Sequence, residues 1–104
     1  MYKITYSRRK IDGSVILDYL PEIRTYAGQL FRFRSTQPGY VSFTHGLTED
    51  QLATYGVLLF ESEEAFNNCM IAEESDQEAQ AARAALQAFG AEHDIETNIT
   101  YETI

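Results

Sequence analysis

Tyr2, Ile4 and Tyr6 alternate with Lys3, Thr5 and Ser7, the period of two that marks a half-buried strand. Arg8-Arg9-Lys10 ends this apolar face, and Asp12-Gly13 is a turn signal. Ser14 to Leu17 fits a longer strand, a short returning arm or a lead into a helix, and the residues do not choose among the three. The period then changes. Leu20, Ile23, Ala27, Leu30 and Phe31 recur at helical spacing, flanked by Tyr26 and Phe33, with Arg24 and Arg32 on the other side. Asp18 is the expected N-cap, and Pro21 is tolerated because it falls in the first turn. Gln37-Pro38-Gly39 requires this helix to stop near Thr36, since the residue before a proline avoids the helical region.

Alternation returns from Tyr40 to Leu47, with Val41, Phe43 and His45 on one face and Tyr40, Ser42 and Thr44 on the other. After the polar turn Thr48-Glu49-Asp50, residues 51–61 predict a second strand and hence an antiparallel hairpin. It ends in the continuous apolar run Val57-Leu58-Leu59-Phe60, which suits a strand covered on both faces. Ser62 caps a short helix whose first turn holds Glu63 and Glu64 and whose apolar side is Phe66, Cys69 and Met70. Ser75-Asp76-Gln77-Glu78 is a capping-box pattern that starts another helix. Ala79, Ala82, Leu86 and Phe89 form its stripe, and Gly90 is the expected C′ residue. Ile95, Thr97, Ile99, Tyr101 and Thr103 alternate with polar residues as a last strand.

The order is β-α-β-β-α-β with a broken second helix, which is the split βαβ arrangement of an α+β, ferredoxin-like sandwich. Its helices cover one sheet face, so closing the bare face against a second copy would make a dimeric α+β barrel. The 104 residues fit one domain, 1–104. A chain this short buries only about 60–65% of its unfolded surface, which favours such a homodimer.

Composition narrows the function. The net charge is −8, which argues against nucleic acid, where affinity comes from neutralised phosphates. The charge is uneven: residues 1–34 hold seven of the eight basic groups, while thirteen of the sixteen carboxylates follow them. Complementary surfaces, or a small basic site for an anion, would both account for this. Cys69 stands alone, so no internal disulfide forms, as in a reducing cytoplasm. The opening residues alternate without the apolar core of a signal peptide, and no apolar run reaches the roughly 18–20 residues of a membrane span. The expectation is a soluble, cytoplasmic protein without a membrane partner.

Gln37-Pro38-Gly39-Tyr40-Val41 followed by a hairpin, and then Phe60-Glu61-Ser62-Glu63-Glu64-Ala65-Phe66, resemble the antibiotic-biosynthesis monooxygenase-like family of dimeric α+β barrels. In the second motif Phe60 replaces the Trp of the family's W-x-S-x-E-A pattern. The resemblance implies the barrel fold and a choice among cofactor-independent oxygenases of aromatic compounds, haem-degrading enzymes and members without an assigned activity. Haem degradation in the family uses a first-strand Asn, that Trp and a His in the second helical region. This chain offers Tyr6 and Ser7, Phe60, and Ala72-Glu73-Glu74 instead, so that activity is not expected.

No glycine motif for phosphate and no metal-ligand spacing occurs, and neither a metal nor a cofactor is expected. The carboxylates from Glu61 to Glu78 read as a solvated helix face, Cys69 as packing, and His93 as a helix-end residue. His45, on an apolar face, is the expected catalytic base; otherwise it is a hydrogen-bonded core or interface histidine. Tyr6, Tyr26, Phe43, Phe60 and Phe66 are the expected lining of an aromatic pocket between helices and sheet. Two functions follow: a small-molecule-binding protein or cofactor-independent monooxygenase acting on an aromatic or phenol-like compound, or a non-catalytic dimeric binding or accessory module with a filled core.

Overall fold

The protein is described by a computed structural model covering residues Met1–Ile104. Four strands and three helices follow in the order β1 (Tyr2–Lys10), α1 (Leu20–Arg34), β2 (Tyr40–Leu47), β3 (Ala53–Phe60), α2 (Glu63–Glu74), α3 (Gln77–Glu92) and β4 (Ile95–Thr103). The strands form one antiparallel sheet in the order β2-β3-β1-β4, which is the ferredoxin-like α+β arrangement. No helix is long and apolar enough to cross a membrane.

The helices cover the sheet face that carries Ile4, Tyr6, Leu58 and Phe60. These four form the main core with Phe31 of α1 and with Phe66 and Cys69 of α2. The opposite face, with Thr5, Ser7, Tyr55, Val57 and Leu59, meets no other element of the chain. The segment whose form the residues left open is irregular until a single 3-10 turn at Leu17–Tyr19. It is pinned by Ile16, which is fully buried and donates its N–H to the Gln51 carbonyl at 2.9 Å.

Several boundaries differ from the sequence reading, each for a local reason. Asp18 does not cap α1; it lies in the 3-10 turn, which runs straight into the helix, and Tyr19 at the N-cap makes no side-chain bond. Ser62 does cap α2, accepting the Ala65 N–H at 3.1 Å. The cap of α3 is Asp76 rather than Ser75, accepting from Ala79 N at 2.9 Å. Gly90 does not end α3, which continues to Glu92. A Cβ there would lie 3.2 Å from the Ile95 carbonyl oxygen, so the missing side chain serves the close return of β4. The left-handed residue after the helix is Asp94, at φ 53°.

Residues 8–10 remain within β1, and Lys10 is buried, with its ammonium on the His93 carbonyl and 4.6 Å from the Tyr19 ring centre. In β2 a bulge between Tyr40 and Ser42 makes Val41 the extra residue. Tyr40, not Val41, therefore packs inward, its ring 6.1 Å from Phe60. Gly39, at φ 85°, enters this bulge where a Cβ would sit 2.5 Å from that of Ala65.

Candidate functional site

Alternation in β1, β2 and β3 turns Arg8, Phe43, His45, Thr54 and Gly56 toward α1. On α1, Ile23, Ala27 and Phe31 face them across a cavity of about 220 Å³. Register sets this layout. His45 pairs with Gly56, which pairs with Tyr6, while Arg8 pairs with Thr54 in the neighbouring row. Gly56 makes the floor. A Cβ on it would lie 3.0 Å from the Phe43 ring, so a larger residue would displace that ring. Phe43 stacks on Phe31 with centroids 3.8 Å apart and planes 9° apart, forming an aromatic wall that His45 extends at 5.8 Å. Gly28 of α1 also borders the cavity, and a Cβ there would meet nothing within 4 Å. A hollow of about 350 Å³ over Ser7, Arg9, Glu96, Thr97 and Asn98 has no apolar wall and lies at the outer face.

Of the expected pocket residues, only Phe43 and His45 border this cavity. Tyr6, Phe60 and Phe66 are packed into the main core, and Tyr26 lies against Phe89 with centroids 5.9 Å apart. The helix–sheet space is thus filled at its centre, open at the β2–β3 end, and open again beside β4 and α3, where a hollow of about 170 Å³ is bordered by Tyr6, Arg8, Arg34 and Arg83. His45 is exposed and makes no hydrogen bond, so it is not a buried, bonded core histidine. His93 is at the C-cap of α3, its ring 4.5 Å from Phe89 and 5.0 Å from Tyr19. Arg8 of β1, Gly28 of α1 and Thr54 and Gly56 of β3 were not singled out, because these three segments come together only through the fold.

The sequence reading also missed what fills the centre. Glu73, expected on a solvated face, is fully buried. It receives a two-pronged contact from buried Arg34, Nε to Oε1 at 2.8 Å and Nη2 to Oε2 at 3.2 Å. Arg83 reaches Glu73 at 3.3 Å, and Arg34 Nη1 donates to the Tyr6 hydroxyl at 2.7 Å. Burial is the largest influence on Arg34 and opposes its charge, but the Glu73 hydrogen bond together with the charge interactions with Tyr6, Glu73 and Cys69 leaves its pKa raised. Burial likewise raises the pKa of Tyr6, although Arg34 pulls the other way. The three positions that haem degradation would use are therefore a packed Phe60 and two members of an ion-pair network. They do not fit haem.

Cys69 lies beside this network, and burial pushes its thiol up to about 11, with Arg34 opposing and Glu73 adding. Below pH 9 both folded and unfolded thiols hold their proton. As pH rises further the unfolded thiol ionises first, so stability falls between about pH 9 and 11 by about 2 kcal/mol. Tyr6 extends the loss above pH 10 with the same sign. Denaturant midpoints measured across this range should decline, and Cys69→Ala should flatten the earlier part of the decline.

No family model and no curated protein matches the chain. Solved structures do. SnoaB, a cofactor-independent oxygenase from Streptomyces nogalater, is 15% identical with a TM-score of 0.69 over 99% of this chain and 92% of its own. An antibiotic biosynthesis monooxygenase, 6% identical, gives 0.65 over 100% and 98%. This chain shares the α+β, ferredoxin-like fold of these proteins. A dimeric ferredoxin-like protein of unknown function from Jannaschia sp. CCS1, 16% identical, covers the full length of both chains at 0.65. At such identities the likeness extends to the fold expected from Gln37–Val41 and Phe60–Phe66, and the chemistry rests on the cavity.

Proposed function

We propose that the chain is a cytoplasmic, homodimeric, cofactor-independent monooxygenase that takes a small aromatic, phenol-like compound into the cavity between α1 and the sheet. The observation that carries this reading is an open cavity with a stacked Phe31–Phe43 wall and a free imidazole, His45, at its border. His45 would take the proton of the activated substrate, and the positive charge of Arg8 across the cavity would favour the resulting anion. That anion reduces dioxygen and combines with it, and loss of water from the hydroperoxide leaves a carbonyl. The balance is one activated CH2 plus O2 giving C=O plus H2O. Oxygen uptake by the purified protein with a panel of phenols tests it, and expects carbonyl product formed in equal amount without added metal or flavin.

A non-catalytic binding module is the second reading. It is favoured by the absence of any hydrogen bond that would orient His45, since a working base is usually held by a third group. No uptake across the panel would select it.

The homodimer would form through the outer sheet face, where Val57 and Leu59 complete the apolar run of β3 beside Tyr55, which is 45% exposed. Light scattering at micromolar concentration should give twice the chain mass; a monomer would contradict this assembly.

A further inference from the structure

The chain holds twice as many acidic as basic residues, yet the charged residues bordering the cavity are Arg8 and Arg24, with His45, and no carboxylate. Arg8 is not neutralised elsewhere. It is half-buried, takes part in none of the ion pairs of the chain, and has the Tyr6 ring beside it, 6.0 Å from the guanidinium to the ring centre; the second hollow it borders holds Arg34 and Arg83 and no carboxylate. Burial and the nearby Arg34 charge both lower its pKa. A guanidinium in that state lacks the carboxylate that its fork of donors fits best.

Size and shape narrow the ligand. A dry cavity of about 150 Å³ accommodates benzene, so 220 Å³ has room for one substituted ring and not for three fused rings. The flat Phe31–Phe43 pair offers a surface for that ring. Arg8 and His45 lie on strands separated by β3 and in adjacent inward rows, which puts their Cα atoms roughly 12 Å apart. Both side chains border the same space, so a ring between them meets Arg8 at one end and His45 at the other.

We infer that the cavity takes a single-ring phenolic acid, its carboxylate on Arg8 and its hydroxyl toward His45. This rests on the small-molecule reading of the cavity, not on turnover. Calorimetry on the full chain tests it with para-hydroxybenzoate, para-hydroxybenzamide and an anthracene carboxylate. The acid should bind about tenfold or more tightly than the amide, as expected of a charge-assisted contact. Arg8→Gln should remove that preference and Arg8→Lys should retain part of it. Gly28→Leu, which projects a side chain into open space, should weaken both compounds while thermal unfolding shows an intact fold. Equal affinity for acid and amide in the natural chain would overturn the inference, as would no binding of para-hydroxybenzoate at millimolar concentration. So would a preference that survives Arg8→Gln, or an anthracene carboxylate that binds equally well. Arg8-dependent binding without oxygen uptake would sink the monooxygenase reading and leave this one standing.

Discussion

Glu73→Ala is expected to lower the unfolding free energy by about 3–5 kcal/mol, the range for breaking a buried ion pair from one side. Glu73 is fully buried and Arg34 only 3% exposed, so removal of the carboxylate leaves a guanidinium that neither water nor another acid reaches. Small domains have about 5–15 kcal/mol in all, so the variant should unfold at much lower urea. The loss belongs to the orphaned charge rather than to the pair as such. Replacing both residues, with Arg34→Met and Glu73→Leu, should therefore recover most of it. Arg83→Ala should cost about 1 kcal/mol or less, because that arginine is 43% exposed and screened. Urea midpoints for these variants separate the outcomes, and a small loss in Glu73→Ala alone would mean that Arg34 finds water.

The network was within reach of the sequence. Arg34 follows Leu30 by four positions and Phe31 by three, and Glu73 follows Cys69 by four and Met70 by three. Each charge thus continues the apolar stripe of its own helix. Opposite charges on two core-facing stripes are a signal for a buried pair, but the abundance of nearby carboxylates hides Glu73 among solvated ones. The strands and helices were legible for the opposite reason, since periods of two and 3.6 are local. The cavity is not local. Phe43 and His45 can be seen on one face of β2, but Arg8 joins them only through β3, across the pairs Arg8–Thr54 and His45–Gly56. Open space has still less of a signature, because Gly28 and Gly56 contribute it by lacking atoms.

The two features explain each other. Tyr6, Arg34 and Glu73 occupy the middle of the helix–sheet layer, where two more of the expected pocket aromatics, Phe60 and Phe66, also pack. The cavity that Phe43 and His45 border lies toward the β2–β3 end, over a glycine floor, and a hollow of about 170 Å³ lies on the other side of the network, beside β4 and α3. The network also places the Arg34 charge beside the inward face of β1, one row from Arg8. A second cation there makes an anionic ligand more favourable at Arg8, so the plug that removes one site strengthens the other.

His45→Ala should reduce turnover of a phenolic substrate by about 10²- to 10⁴-fold, the usual contribution of a positioned base. Its effect on stability should stay within about 0.5 kcal/mol, because His45 is exposed and unbonded. Ligand affinity should change little, since the wall is Phe31 and Phe43 and the anchor is Arg8. The two Phe rings touch each other whether or not the imidazole is present. Loss of turnover with binding and fold retained would isolate proton removal as the step that His45 performs. A catalytic base needs reach more than burial, and an unbonded ring at the edge of an aromatic wall is free to turn toward a hydroxyl held there. Turnover retained within threefold would give the proton to water or to the substrate itself, and the cavity would then act only by holding a phenol in reach of oxygen.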